Sequence, residues 1–218
     1  MSTLTLNNLC KTLYITLLLI AVIGCKNTPA LPSAPHIPTS EFRSADLALR
    51  LGRTIESDLI ARGGNAQNRY SHIGIIIESD SGLVVVDIEP STGKNSEIIK
   101  AQTIEDFFPP KRAVAGAILR YNDLNHEQTN ALKYKTIEYL NSSITFDHDY
   151  RLSDSSKMYC TELIEHIFQS INISLCEGRN RKLPLAKEPV ILPYDISQNE
   201  NLSTIWSYDL RPAERSAR

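Results

Sequence analysis

Three groups in this 218-residue chain invite chemistry by type and position: the thiol of Cys160, the imidazole of His72 and the carboxylate of Asp87. Cys160 stands in the stretch MYCTELIEHIF (158–168), within the first turn or so of an amphipathic helix. The apolar set Cys160, Leu163, Ile164, Ile167, Phe168 and Ile171 is spaced for one buried face, and Ser155 and Ser156 are candidate N-caps. A cysteine there admits two readings. It is a small hydrophobe of the core, as cysteines often are, or a nucleophile whose thiolate is favoured by the helix dipole and unpaired backbone N–H groups. The same N–H groups could hold an oxyanion formed at an attacked carbonyl. The residue alone leaves both readings open.

His72 opens an apolar run and follows Tyr70-Ser71. A histidine at a strand edge is a structural hydrogen bonder or a base. Asp87 interrupts Val84-Val85-Val86 and Ile88, where a bare carboxylate is costly unless paired. An imidazole would satisfy it, and the carboxylate would in turn fix the tautomer. Glu89, two residues on, is the competing carboxylate.

The elements that must position these groups are legible in outline. The runs 72–78 and 83–89 are β-branched and apolar around a Ser79-Asp80-Ser81-Gly82 loop, which predicts a β-hairpin of central strands covered on both faces. Another strand is expected at 113–121. A helix from Asn125 to about Leu140 is expected, with Asn125 and Gln128 as a capping box and Leu124 as its staple. A short helix over 51–62 closes on Gly63-Gly64, the stretch 42–50 is a first strand or a helix start, and 198–207 reads as a further helix. The sum is an α+β domain, a small antiparallel sheet packed by helices. Cys160 and Cys176 lie too far apart along a continuous helix to pair, roughly 24 Å at 1.5 Å per residue.

Ahead of this domain, one charge (Lys11) precedes an apolar run from Leu13 to Ile23. That run is shorter than the roughly 20 residues a spanning helix needs, and it suits a secretory signal. It ends in Val22-Ile23-Gly24-Cys25, which resembles a bacterial lipobox, so cleavage would leave a lipidated Cys25. The segment up to Ser40, with four prolines, reads as a tether. The expected organisation is a signal over 1–24, lipidated cysteine and tether over 25–41, the domain over 42–210 and a tail over 211–218. A net charge of −2 with no dense basic run sets nucleic acid aside.

The paired motifs Tyr70-Ser71-His72-Ile73-Gly74-Ile75 and Tyr159-Cys160-Thr161-Glu162-Leu163-Ile164 resemble the YiiX-like permuted papain-fold enzymes of the NlpC/P60 superfamily, in which the histidine precedes the cysteine. Ser44-Ala45-Asp46, Thr103 to Phe107, Leu119-Arg120, Phe146-Asp147 and Leu192-Pro193 fit the same order, with Ala45 where the family carries glycine. The resemblance implies a circularly permuted papain-like fold and a Cys160 nucleophile. It also implies a His72 base and a third residue that is usually Glu, here matched by Asp87, with Glu89 as the alternative. Tyr159 and Tyr70 would line the substrate cleft. The implied activity is thioester-based hydrolysis of an amide in peptidoglycan or another envelope peptide. Lipid acyl transfer, acyl-ester hydrolysis and a non-catalytic binding module are the rivals. The enzyme would be held by lipid in the bacterial envelope, on the outer membrane facing the periplasm, since Lys26 rather than Asp follows Cys25. No cofactor is implied. Asp147-His148-Asp149 lacks further ligands at metal-binding spacing, so no metal is expected. His126 and His166 read as solvated helix residues, and Arg120 as a salt-bridge partner.

Overall fold

The hairpin of β-branched runs forms the middle of a six-stranded sheet. The computed structural model describes residues 33–64, 70–90, 97–183 and 186–211, all within one unit. The signal, Cys25 and most of the tether lie outside the described residues, as does the tail beyond Arg211. Strands β1 (Leu47–Gly52), β2 (His72–Ser79), β3 (Gly82–Asp87), β4 (Lys100–Thr103), β5 (Ala113–Tyr121) and β8 (Leu202–Asp209) run in the order β4-β3-β2-β1-β5-β8. Every neighbouring pair is antiparallel. The hairpin turns at Gly82, whose φ of +108° suits a residue without Cβ.

Alternation along these strands sends apolar side chains to both faces. Leu47, Leu49, Ile73, Ile75, Val86 and Leu119 share one core with the helix that begins at Cys160. Ala48, Ile76, Val85 and Ile118 meet Phe42, Phe107 and Phe108 on the other. The central strands are therefore covered on both sides, as their unbroken apolar character predicts.

Among the described residues five α-helices accompany the sheet: α1 (Ile55–Gly64), α2 (Ile104–Phe107), α3 (His126–Leu140), α4 (Cys160–Gln169) and α5 (Pro193–Ser197). Helix α3 starts in the expected capping box: Asn125 Oδ1 accepts from Gln128 N at 2.8 Å, and Gln128 Oε1 accepts from Asn125 N at 3.1 Å. Helix α4 buries Leu163, Ile164, Ile167 and Phe168 completely against the sheet. It ends at Gln169, and the chain turns back through Asn172, whose φ is +60°. Cys176 is thereby buried, and both it and Cys160 are free thiols. Among the described residues no helix is long and apolar enough to cross a membrane.

Two expectations are corrected. The 198–207 stretch is not helical. Its C-terminal part is β8, because Leu202 to Asp209 pairs along β5, where Trp206 and Tyr208 pack edge-on to Phe108. Ser155 and Ser156 do not cap α4. Lys157–Met158 intervenes as β7, paired in parallel with β6 (Thr145–Phe146), and the N-cap is Tyr159.

Candidate active site

His72 is the first residue of β2 and Asp87 the last of β3; the register that pairs Ile75 with Val86 sets Gly74 opposite Asp87 and puts His72 diagonally across from it on the same face. His72 Nε2 lies 2.6 Å from Asp87 Oδ2. Gly74 makes room for this pair. A Cβ there would stand 2.6 Å from Val85 Cγ1, 2.9 Å from the Val86 carbonyl oxygen and 3.1 Å from Asp87 Cβ. Asp87 is fully buried, and its other oxygen accepts from Gln102 Nε2 on β4 at 2.9 Å. Both carboxylate oxygens are thus partnered, which offsets the cost of burying the charge.

Glu89 serves a different set of partners. It lies past the end of β3 and accepts from Arg50, Lys100 and Arg112. Burial works against its charge, but His72, Arg50, Lys100 and Arg112 together hold the carboxyl far below the usual range. Of the two candidate carboxylates, the one hydrogen-bonded to the ring is Asp87. Arg50, itself buried, also donates to the Phe107 carbonyl at 3.1 Å, with its guanidinium 4.4 Å from the centre of that ring. His72 stacks on the same Phe107 ring, at 5.6 Å between centroids.

Cys160, half-buried, is the first residue of α4. Its thiol is one of the groups that favour a protonated His72 ring. With Nε2 committed to Asp87, Nδ1 is the ring atom left for the thiol. Burial and the Arg50 charge oppose a protonated ring, yet the bonds to Asp87 and Cys160 outweigh them and raise the His72 pKa to about 8. A ring held in this way favours its protonated form at neutral pH, beside the side chain that would act as nucleophile.

The start of α4 is clamped from the 190–192 segment. Tyr159 Oη accepts from Ile191 N at 3.0 Å, and Thr161 Oγ1 donates to the Ile191 carbonyl at 2.6 Å. Tyr159 is 2% exposed and packs in the core, so it presents no surface to a cleft, and the expectation that it lines one is corrected. Tyr70 is half-buried and packs against the same core. Glu162, 1% exposed, accepts the Tyr159 N–H at 3.4 Å through Oε2, while Oε1 has no hydrogen-bond partner among the described residues. Burial, with Asp147, Asp154 and Glu188 adding, outweighs the Tyr159 N–H and raises its pKa to about 8.

The remaining candidates resolve as structural groups. Arg120 pairs with buried Asp46 through two bonds of 2.7 and 2.8 Å. Asp147 accepts the N–H groups of Asp149 and Arg151, and His148 meets Glu97 at 2.7 Å, so the 147–149 run does not converge on one point. His126 meets Asn130 at 3.0 Å. His166 is not simply solvated: it is half-buried, near Tyr139, and burial lowers its pKa. Arg50, Gln102, Phe107 and Glu162 escaped the sequence reading as site residues, because their partners lie far away in sequence or follow no local pattern.

Compared with known proteins, the chain matches no family model and no curated protein. Among solved structures it is similar to the crystal structure of the metalloprotein YiiX from Escherichia coli O157:H7, with a TM-score of 0.62 at 16% identity over 77% of this chain and 98% of that one. The likeness is one of fold: a YiiX-like α+β arrangement.

YiiX is described as a metalloprotein, and in this chain His72, Asp87 and Glu89 each offer a ligand atom within 4.8 Å of one another. These residues do not fit a metal ion. Both Asp87 oxygens are taken by His72 and Gln102, and Glu89 is neutralised by Arg50, Lys100 and Arg112. An entering cation would have to displace these partners against three positive charges.

Proposed function

We propose that this chain is a lipid-anchored, extracytoplasmic cysteine hydrolase of circularly permuted papain-like fold that cleaves amide bonds in peptidoglycan or other envelope peptides. The observation that carries this reading is the His72 ring, held by Asp87 at 2.6 Å and set beside the thiol that opens α4. His72 Nδ1 takes the Cys160 proton, and the sulfur attacks the substrate carbonyl carbon. Backbone N–H groups in the first turn of α4, which have no intrahelical acceptor, stabilise the resulting oxyanion. The imidazolium returns its proton to the leaving amine as the C–N bond breaks, leaving a thioester. Water, deprotonated by His72, attacks that thioester and releases the acid and the thiol. Asp87 orients the ring and balances the charge that forms on it.

The substrate class is supported by the lipobox-like Val22-Ile23-Gly24-Cys25, since lipidation there would hold the domain among envelope polymers. The test is turnover of purified muropeptides and of a synthetic acyl ester by the full chain in detergent, with Cys160→Ala as control. Release of a new amine from muropeptide, lost in Cys160→Ala, supports the amidase. Cys160-dependent turnover of the ester alone replaces it with the acyl-ester rival.

A further inference from the structure

Tyr150 has no role in the chemistry above, yet its setting is unusual. Its φ is +52°, a left-handed backbone that a bulky aromatic residue rarely adopts, and such outliers gather at functional sites. The surrounding structure enforces it. Asp147 accepts the N–H groups on either side, from Asp149 and Arg151. The Tyr150 ring packs on Phe146 at 5.9 Å and on Tyr159, the neighbour of Cys160, at 5.3 Å between centroids. Its hydroxyl then donates to Glu56 Oε1 at 3.2 Å, joining the 147–154 loop to helix α1 across 94 residues of sequence. Tyr150 and Cys160 pack against the same core; burial raises the phenol's pKa most, and Glu56 and Cys160 add to it.

A loop and a helix drawn together beside a half-buried nucleophile, by one bond to an exposed carboxylate, make a threshold rather than a wall. Such a bond contributes little enough to open on binding. We propose that Tyr150, tied to Glu56, is a specificity-determining residue that selects by size which electrophiles reach Cys160. This inference rests on the reading of Cys160 as the nucleophile. Slender, extended acyl groups pass the closed threshold, and branched or bulky ones require the Tyr150–Glu56 bond to break.

The experiment compares alkylation of Cys160 by iodoacetamide and by fluorescein maleimide. It uses the full chain in detergent, followed at the Cys160 peptide by mass spectrometry. Tyr150→Phe keeps the ring and removes the bond, and Glu56→Ala removes it from the other side. In both variants the maleimide-to-iodoacetamide rate ratio rises by about three- to tenfold, the effect of losing one hydrogen bond. An unchanged ratio with a reactive thiol overturns the inference and leaves the nucleophile intact. A thiol inert to iodoacetamide in all three proteins overturns the nucleophile reading, and the inference with it.

Discussion

Replacing Glu162 by Gln should make the protein more stable, and increasingly so as pH rises. The carboxyl is 1% exposed, one oxygen lacks a partner among the described residues, and burial with three neighbouring acids raises its pKa from 4.5 to about 8. In the unfolded chain it ionises near 4.5, whereas the folded protein keeps its proton up to about 8. Between those values the unfolded state binds fewer protons, so stability falls as pH rises, with no penalty below the window and the full penalty above it. At about 1.4 kcal/mol per pH unit, and discounted for solvent screening, the penalty at pH 8 is on the order of 2–4 kcal/mol. The amide introduced by Glu162→Gln would still accept the Tyr159 N–H and carries no charge to bury. The assay is urea unfolding of both proteins at pH 5 and pH 8. With a slope of about 2 kcal/mol per molar, the midpoint of Glu162→Gln should lie about 1–2 M higher at pH 8 and within about 0.5 M at pH 5. A variant less stable at both pH values would refute the reasoning, because it would mean an ionised Glu162 supported by the helix N-terminus.

Other outcomes follow from the same geometry. Gly74→Ala drives a methyl into Val85 and the Val86 carbonyl, costing about 1–3 kcal/mol in urea unfolding, and lowers Cys160 alkylation by disturbing Asp87; full retention of both would show that the hairpin yields freely. Glu89→Gln leaves the buried Arg50 without its counter-charge, costing about 3 kcal/mol; a loss below about 0.5 kcal/mol would mean that Arg50 reaches solvent. Saturating zinc should leave the melting temperature unchanged within about 1 °C; a larger rise that Asp87→Asn abolishes would establish a metal at the His72, Asp87 and Glu89 cluster.

Much of the architecture was legible because its determinants are local. The run AVAGAILRY gave β5 to the residue, and Asn125 with Gln128 gave the start of α3, since a cap is decided within four positions. Strand β8 was not, because Leu202, Ile205 and Trp206 also suit helical spacing, and pairing with β5, far away in sequence, decides between them. The bond between the His72 ring and Asp87 was legible only as the first of two alternatives, with Glu89 the other. The choice between them depends on Arg50, Lys100 and Arg112 converging on Glu89 from three separate segments. Ala45 shows the reverse case: nothing in its type predicts a left-handed backbone, and it nonetheless takes a φ of +73°. The strain there is held by Asp46, which is clamped by Arg120 and accepts the Arg43 N–H.

The central claim is that Cys160 and His72 act as a pair, and the alkylation rate of Cys160 against pH tests it most directly. In the full chain, iodoacetamide should modify the Cys160 peptide readily at about pH 6, where an ordinary thiol is almost entirely protonated. His72→Ala should lose at least about tenfold of that rate, and Asp87→Asn an intermediate amount. A Cys160 that stays inert at every pH until the protein unfolds would contradict the account and make it a cysteine of the core.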